Sequence, residues 1–252
     1  DMLLEGKVAI VTGGGRGIGA GISRVLAGEG AAVAVVYVAD RDAAEEVAAG
    51  IVKGGGRAQA FEADVREADA VQAMTDAVVG AFGRVDGLIN NAIGGRQDGS
   101  FEEISWDNYT NMLDFGCKAV FNTVKAAHPV MKQQGAGRIV NIVTELWNMG
   151  SANWSAYLAG KGAMVGMSRS LANELGPAGI TVNMVAPGWM LTDKVDPESE
   201  GSKRFGQSLP VRWHGTGEEI GKACAFFLSD LASYVTGAYL PVCGGRITQM
   251  GA

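Results

Sequence analysis

Tyr157 and Lys161 stand four residues apart in a stretch whose pattern predicts a helix over 154–175, so their side chains share one face. An ordinary tyrosine titrates near about 10. An ammonium alongside favours the phenolate and lowers that value. A tyrosine tuned in this way exchanges a proton with an alcohol or a ketone near neutral pH. Taken alone, a Tyr-x-x-x-Lys pair more often marks a solvated helix face. Thr144 changes the balance, because it adds a hydroxyl thirteen residues before Tyr157, at the end of an expected strand.

A second group of residues suits phosphate. Thr12-Gly13-Gly14-Gly15-Arg16-Gly17-Ile18-Gly19 joins an apolar run at 7–12 to an amphipathic stretch in which Ile18, Ile22, Val25 and Leu26 share a face. Gly13 permits a tight turn, Gly17 lets backbone approach a pyrophosphate, and Gly19 lets the helix pack closely on the sheet. An anion would sit on the helix N-terminus, where free N–H groups point outward. A bare glycine motif is weak evidence, but its place between an expected strand and helix is the confirming context.

The elements that must position these groups alternate along the chain. Strands are expected at 7–12, 32–38, 58–63, 85–90, 138–143, 180–185 and 238–242. Between them lie helices at 41–53, along the face Val71, Met74, Val78, Val79 and Phe82, before Gly116, from about 117 to 134, and at 154–175 and 218–229. Such alternation predicts an α/β fold, a Rossmann-type doubly wound domain around one seven-stranded parallel sheet. Residues 1–252 read as a single dinucleotide-binding catalytic domain, with about 191–217 as an irregular stretch of the kind that serves as a substrate loop. Asn90-Asn91-Ala92 closes the fourth strand and Pro187-Gly188, followed by Thr192, closes the sixth. Both fall on the carboxyl edge that carries the glycine loop, where ligands bind in such sheets.

Composition narrows the partners. The 252 residues carry 21 basic and 27 acidic side chains, a net charge of −6, which argues against nucleic acid and against an anionic membrane surface. No run of about 18 apolar residues exists to span a bilayer. Cys117, Cys224 and Cys243 have neither metal-ligand nor redox spacing, so no metal is expected and three free thiols in a reducing cytoplasm are. Trp147 and Trp154 bracket the segment between Thr144 and Tyr157, and Trp189 lies inside the Pro-Gly-Thr motif; for each of these and for Trp213 a core role is about even with lining an apolar pocket. His128 reads as structural and His214 as a surface residue.

Over its length from Gly6 to about Gly245 the sequence resembles the short-chain dehydrogenase/reductase family, with 3-oxoacyl-[acyl-carrier-protein] reductases and related secondary-alcohol dehydrogenases as the nearest flavour. Thr12-Gly13-x-x-x-Gly17-Ile18-Gly19, Asp64-Val65, Asn90-Asn91-Ala92, Tyr157-x-x-x-Lys161 and Pro187-Gly188-x-x-x-Thr192 carry the likeness. The resemblance implies that Tyr157 is the acid/base, that Lys161 orients the ribose and tunes Tyr157, and that Thr144 takes the usual serine position. It further implies that Asp64 and Val65 border the adenine and that Thr192 holds the carboxamide of a nicotinamide dinucleotide. It implies a homotetramer as well. The expected activity is NAD(P)-dependent interconversion of a carbonyl and a secondary alcohol. The rivals are a dehydrogenase working oxidatively on a cyclic or aromatic alcohol, and a non-catalytic dinucleotide sensor.

At the end of the second strand, where NAD enzymes commonly carry a carboxylate, stands Tyr37. Arg16 and Arg41 are candidates to face a 2′-phosphate, so NADP(H) is expected over NAD(H), with Asp40 as the counter-argument. Two further departures from the family pattern are Ile93, where a glycine is expected, and Gly116, where the family has a helix asparagine. Asn111 lies more than a turn away. The expectation at Gly116 is a water-filled gap between its backbone and Lys161.

Overall fold

The computed structural model describes residues 2–249. Its sheet contains seven strands: β1 (Val8–Thr12), β2 (Ala32–Tyr37), β3 (Arg57–Glu62), β4 (Gly87–Asn90), β5 (Gly137–Ile142), β6 (Ile180–Pro187) and β7 (Tyr239–Val242). All pair in parallel, in the order β3-β2-β1-β4-β5-β6-β7. The chain winds outward from β1 to β3, then returns across the sheet to β4. The crevice at a reversal of this kind opens at the carboxyl ends of β1 and β4.

Nine α-helices connect the strands: α1 (Gly17–Gly28), α2 (Arg41–Lys53), α3 (Ala68–Phe82), α4 (Trp106–Leu113), α5 (Ala119–Gln134), α6 (Leu146–Met149), α7 (Ser155–Leu175), α8 (Glu200–Ser208) and α9 (Gly217–Leu228), counted among the described residues. The apolar runs of the strands are continuous because both faces of the sheet are covered. Along β1, Val8 and Ile10 enter the core under α3, α5 and α7. Ala9 and Val11 enter the opposite core, under α1, α2 and α9. Glycines bring α1 and α9 together: a Cβ on Gly21 would lie 2.6 Å from the Glu218 nitrogen.

Two features depart from the sequence expectation. The helix before Gly116 does not stop there. α4 runs through a π-helical turn, Asp114–Lys118, directly into α5. The stretch 191–217 is not wholly irregular, because it holds α8, capped by the Ser199 side chain. Its sequence, rich in Gly, Ser and charge, lacks the apolar period that marks the other helices. No helix among the described residues is long and apolar enough to cross a membrane.

A candidate active site at the carboxyl edge of the sheet

Thr144 follows β5 by two residues, while Tyr157 and Lys161 occupy successive turns of α7. The fold brings all three together. The Thr144 side chain faces the Tyr157 phenol closely enough to favour its charged form. Lys161 is 6% exposed and donates from Nζ to the Ile142 carbonyl at 2.6 Å, while lying 5.9 Å from the centre of the Tyr157 ring. Burial pulls the lysine down to about 8.

The expected lowering of Tyr157 by this ammonium is overturned. Burial raises the phenol above its ordinary value; the Thr144 side chain and Arg96 pull the other way, and the Asp98 charge adds to the rise. An i,i+4 spacing predicts a shared face but not where the ammonium is anchored, and here a strand carbonyl claims it.

The glycine loop has the shape the motif predicts. Gly13 and Gly17 adopt φ of +63° and +48°, in the left-handed region. A Cβ on Gly13 would lie 3.1 Å from Ala92 Cα, and one on Gly17 would lie 3.4 Å from Thr192 Cγ2, so Ala92 and Thr192 both border the loop. Gly19 packs on the Gly13 carbonyl and on Asn91, which places the helix start against the loop rather than against the sheet. A Cβ on Gly15 would lie 2.8 Å from the Cα of Ala44 in α2. Asn91 is a brace: its Nδ2 donates to the Thr12 and Gly13 carbonyls at 2.9 and 3.2 Å. Gly17 opens α1 and Ile18 follows it; among the described residues no side chain caps this helix, and its first turn has no acidic residue. Its N-terminal amides are therefore free to receive a phosphate, and these residues fit a dinucleotide.

At the far end of this cradle, Arg16 and Asp40, expected to pull in opposite directions, form an ion pair. Asp40 also accepts from the Ala43 amide and so caps α2. Arg41 turns away to Glu45 at 2.7 Å, and the Tyr37 hydroxyl donates to Glu62 at 3.4 Å. Asp64 is clasped by Arg66 at 2.7 Å, which holds the carboxylate below its usual range. The Val65 carbonyl accepts from Asn122 at 3.1 Å. Pro187 accepts from the Glu145 amide and Gly188 donates to Val242, which fixes the end of β6 beside Thr144.

Several participants escaped the sequence. Glu145, 1% exposed, accepts from Arg246 at 2.7 Å, and its other oxygen has no hydrogen-bond partner among the described residues. The Tyr239 hydroxyl donates to the Thr144 carbonyl at 2.7 Å; burial and the Glu145 charge push it up to about 12. Arg96 lies over both Trp154 and Tyr157. No period or motif flags any of them. The only available signal was that Glu145 directly follows Thr144.

The tryptophans are not core. Trp147, Trp189 and Trp213 are exposed by 43%, 42% and 50%, and Trp154 meets Tyr157 edge-on at 5.5 Å. His214 is not a plain surface residue either. It packs between Trp189 and Phe205 at 4.9 Å from each, with Nε2 bonded to the Trp189 carbonyl. Ile93 points outward and is exposed.

The expected water-filled gap at Gly116 is replaced on the side-chain side by close packing. The direction in which a side chain would leave Gly116 is occupied by the Gly160 backbone of α7. Asn111 does not substitute for the family's asparagine; it donates to the Gly94 and Gly95 carbonyls instead.

The seven-stranded parallel fold agrees with comparisons to known proteins. Residues 13–246 match the family model described as Enoyl-(Acyl carrier protein) reductase. The 3-oxoacyl-[acyl-carrier-protein] reductase of Staphylococcus aureus is 38% identical over 240 residues, covering 95% of this chain and 97% of that one. A short-chain dehydrogenase/reductase of Serratia marcescens superposes with a TM-score of 0.87 at 37% identity, covering 96% of this chain and 98% of that one. A blue fluorescent protein from a metagenomic library, solved in complex with NADPH, superposes at 0.86 with 38% identity and the same coverage. The chain belongs to the short-chain dehydrogenase/reductase family, and it is an oxidoreductase.

Proposed function

We propose that the protein interconverts a carbonyl and a secondary alcohol, with Tyr157 as the proton donor and acceptor. The observation that carries this reading is the convergence of Thr144, Tyr157 and the buried Lys161, whose Nζ lies 5.9 Å from the Tyr157 ring centre, at the edge that carries the glycine cradle. Two hydroxyls converging on one point hold a carbonyl oxygen as it gains charge. Tyr157 then gives its proton to that oxygen, or takes it back in the reverse direction. Lys161, anchored on Ile142, holds positive charge close to the phenol through the transfer.

A nicotinamide dinucleotide, when bound, supplies or accepts the hydride. The residues that would hold it are Gly13, Gly15, Gly17, Ile18 and Gly19 at the phosphates, with Asp64, Val65, Asn91 and Ala92 along the adenosine side. Pro187, Gly188, Thr192 and Lys161 would hold the nicotinamide side. NADP(H) is preferred, with Arg16 as the phosphate-facing residue, and the NADPH complex of a 38%-identical protein supports that choice. The segment 191–217, joined to itself by the Leu191–Thr216 bridge, serves as the substrate loop. The family resemblance extends the reading to a cytoplasmic homotetramer, which light scattering on the purified protein tests.

A panel of ketones and secondary alcohols, assayed with NADPH and NADH by nicotinamide absorbance, tests the activity. Turnover of at least one pair that is lost in Tyr157→Phe supports it. Tight dinucleotide binding without turnover of any substrate would instead favour a sensor.

A further inference from the structure

Beyond β4 the chain forms a loop that is tied down at four points. The Gly94 and Gly95 carbonyls accept from Asn111 of α4 at 2.9 and 3.2 Å. Gln97 accepts from Asn108 at 2.6 Å, and the Gly99 amide donates to the Asn153 carbonyl at 3.1 Å. Arg96 sits in the middle of these ties. Its guanidinium lies 4.4 Å from the centre of the Trp154 ring and 5.6 Å from that of Tyr157. Stacking on an indole fixes the plane of a guanidinium and leaves its edges to make hydrogen bonds.

One edge is used within the loop: Nε meets Asp98 at 3.2 Å. The two terminal nitrogens have no hydrogen-bond partner among the described residues, and the side chain is 44% exposed. A planar pair of N–H donors held beside the reacting phenol matches a carboxylate in the bidentate manner. A surface arginine at the end of a free side chain would lose that fit to entropy; this one is held by its stack and by its tethered backbone.

We propose that Arg96 anchors the carboxylate of a short oxo acid, or of the matching hydroxy acid, so that the substrate class of this enzyme is anionic. This inference rests on the carbonyl–alcohol reading of the same site. Trp154 serves as the platform, and Asp98 takes the third edge of the fork without covering the pair that meets substrate.

The test measures binding separately from turnover. Titration calorimetry of the NADPH-loaded enzyme with L-lactate, 3-hydroxybutanoate and the methyl ester of each forms dead-end complexes in which no hydride moves. At least one acid is expected to bind tenfold or more tighter than its ester, about the strength of a charge-assisted hydrogen-bond pair. In Arg96→Gln that ratio falls to about one, and Arg96→Lys, which keeps the charge and loses the fork, recovers part of it. Esters that bind as tightly as both acids in the wild type, or a ratio that survives Arg96→Gln, would overturn the proposal. An Arg96-dependent acid preference without turnover of the same acids and NADP would leave the anchor standing and refute the oxidoreductase chemistry assigned to these substrates.

Discussion

Gly116 and Gly160 meet backbone to backbone. A Cβ on Gly116 would fall 2.8 Å from the Gly160 Cα and closer still to its carbonyl. A Cβ on Gly160 would in turn fall 3.1 Å from the Met112 side chain and overlap the Met112 carbonyl. The contact seats the π-helical turn on the helix that carries Tyr157 and Lys161. Introducing the family's asparagine here should therefore damage the enzyme rather than improve it. Gly116→Asn is expected to lose about 1–3 kcal/mol of stability by overpacking, with kcat falling as α7 shifts. Thermal melts and steady-state kinetics check this, and a faster, equally stable variant would show that the contact is dispensable.

Removing only the phenolic proton isolates its role. Tyr157→Phe should lower kcat by about 10²–10⁴, while dinucleotide affinity stays within a few-fold. Thr144→Ala should lose less and Thr144→Ser should remain active, because serine keeps the hydroxyl. Fluorescence titration with NADPH alongside turnover separates binding from chemistry.

Lys161 makes stability depend on pH in a defined window. Its folded value of about 8 lies below the 10.5 of a free lysine. Below both values the lysine is charged in either state, and its burial opposes folding. Between them the unfolded chain holds the extra proton, so stability rises with pH, and above both the effect is complete. Relative to Lys161→Met, the wild type should gain about 3 kcal/mol between neutral pH and pH of about 10.5. Urea melts of both proteins across that range measure the difference, from which other titrating groups cancel.

The Arg16–Asp40 pair predicts how cofactor preference responds to mutation. Wild-type kcat/KM should favour NADPH over NADH. Asp40→Asn keeps the cap on α2, frees Arg16 and removes a charge that repels a 2′-phosphate, so the preference should widen. Arg16→Ala should narrow it by about tenfold, the worth of one charge-assisted contact. Kinetics with both dinucleotides on the three proteins decide the matter.

The parts of this molecule that were legible in its sequence are those governed by local period and backbone need. Val8 to Thr12 reads as a strand because both its faces are apolar, and Gly13 reads as a turn because only glycine accepts its φ without strain. The 3.6-residue period put Tyr157 and Lys161 on one face correctly. That period says nothing of burial, and burial is what reversed the expected shift of Tyr157. Glu145 and Arg246 are 101 residues apart, and Arg96 reaches Trp154 across 58. Pairings over such separations are set by how the sheet edge assembles, and no local pattern encodes them. α8 stayed hidden for the opposite reason: Phe205 is its one large apolar residue, too few to mark a buried face.

Arg246 should matter for stability although it lies outside every motif. Arg246→Ala leaves the buried Glu145 carboxylate without its cation, and a loss of roughly 1–3 kcal/mol is expected. Glu145→Gln in the same chain should restore most of it, since the stranded charge is then gone. Chemical denaturation of the two single variants and the double variant reads the coupling.

That same pair has a practical side. The short turn Arg246–Gln249 is stapled by Arg246 to the residue next to Thr144, while Tyr239 grips the Thr144 carbonyl from β7. Thr144 is thus held in place from behind by polypeptide that is made long after it. An affinity tag or a trimming cut placed close to Arg246 amounts to an active-site alteration at a distance. Preparations that differ only there should differ in catalytic rate.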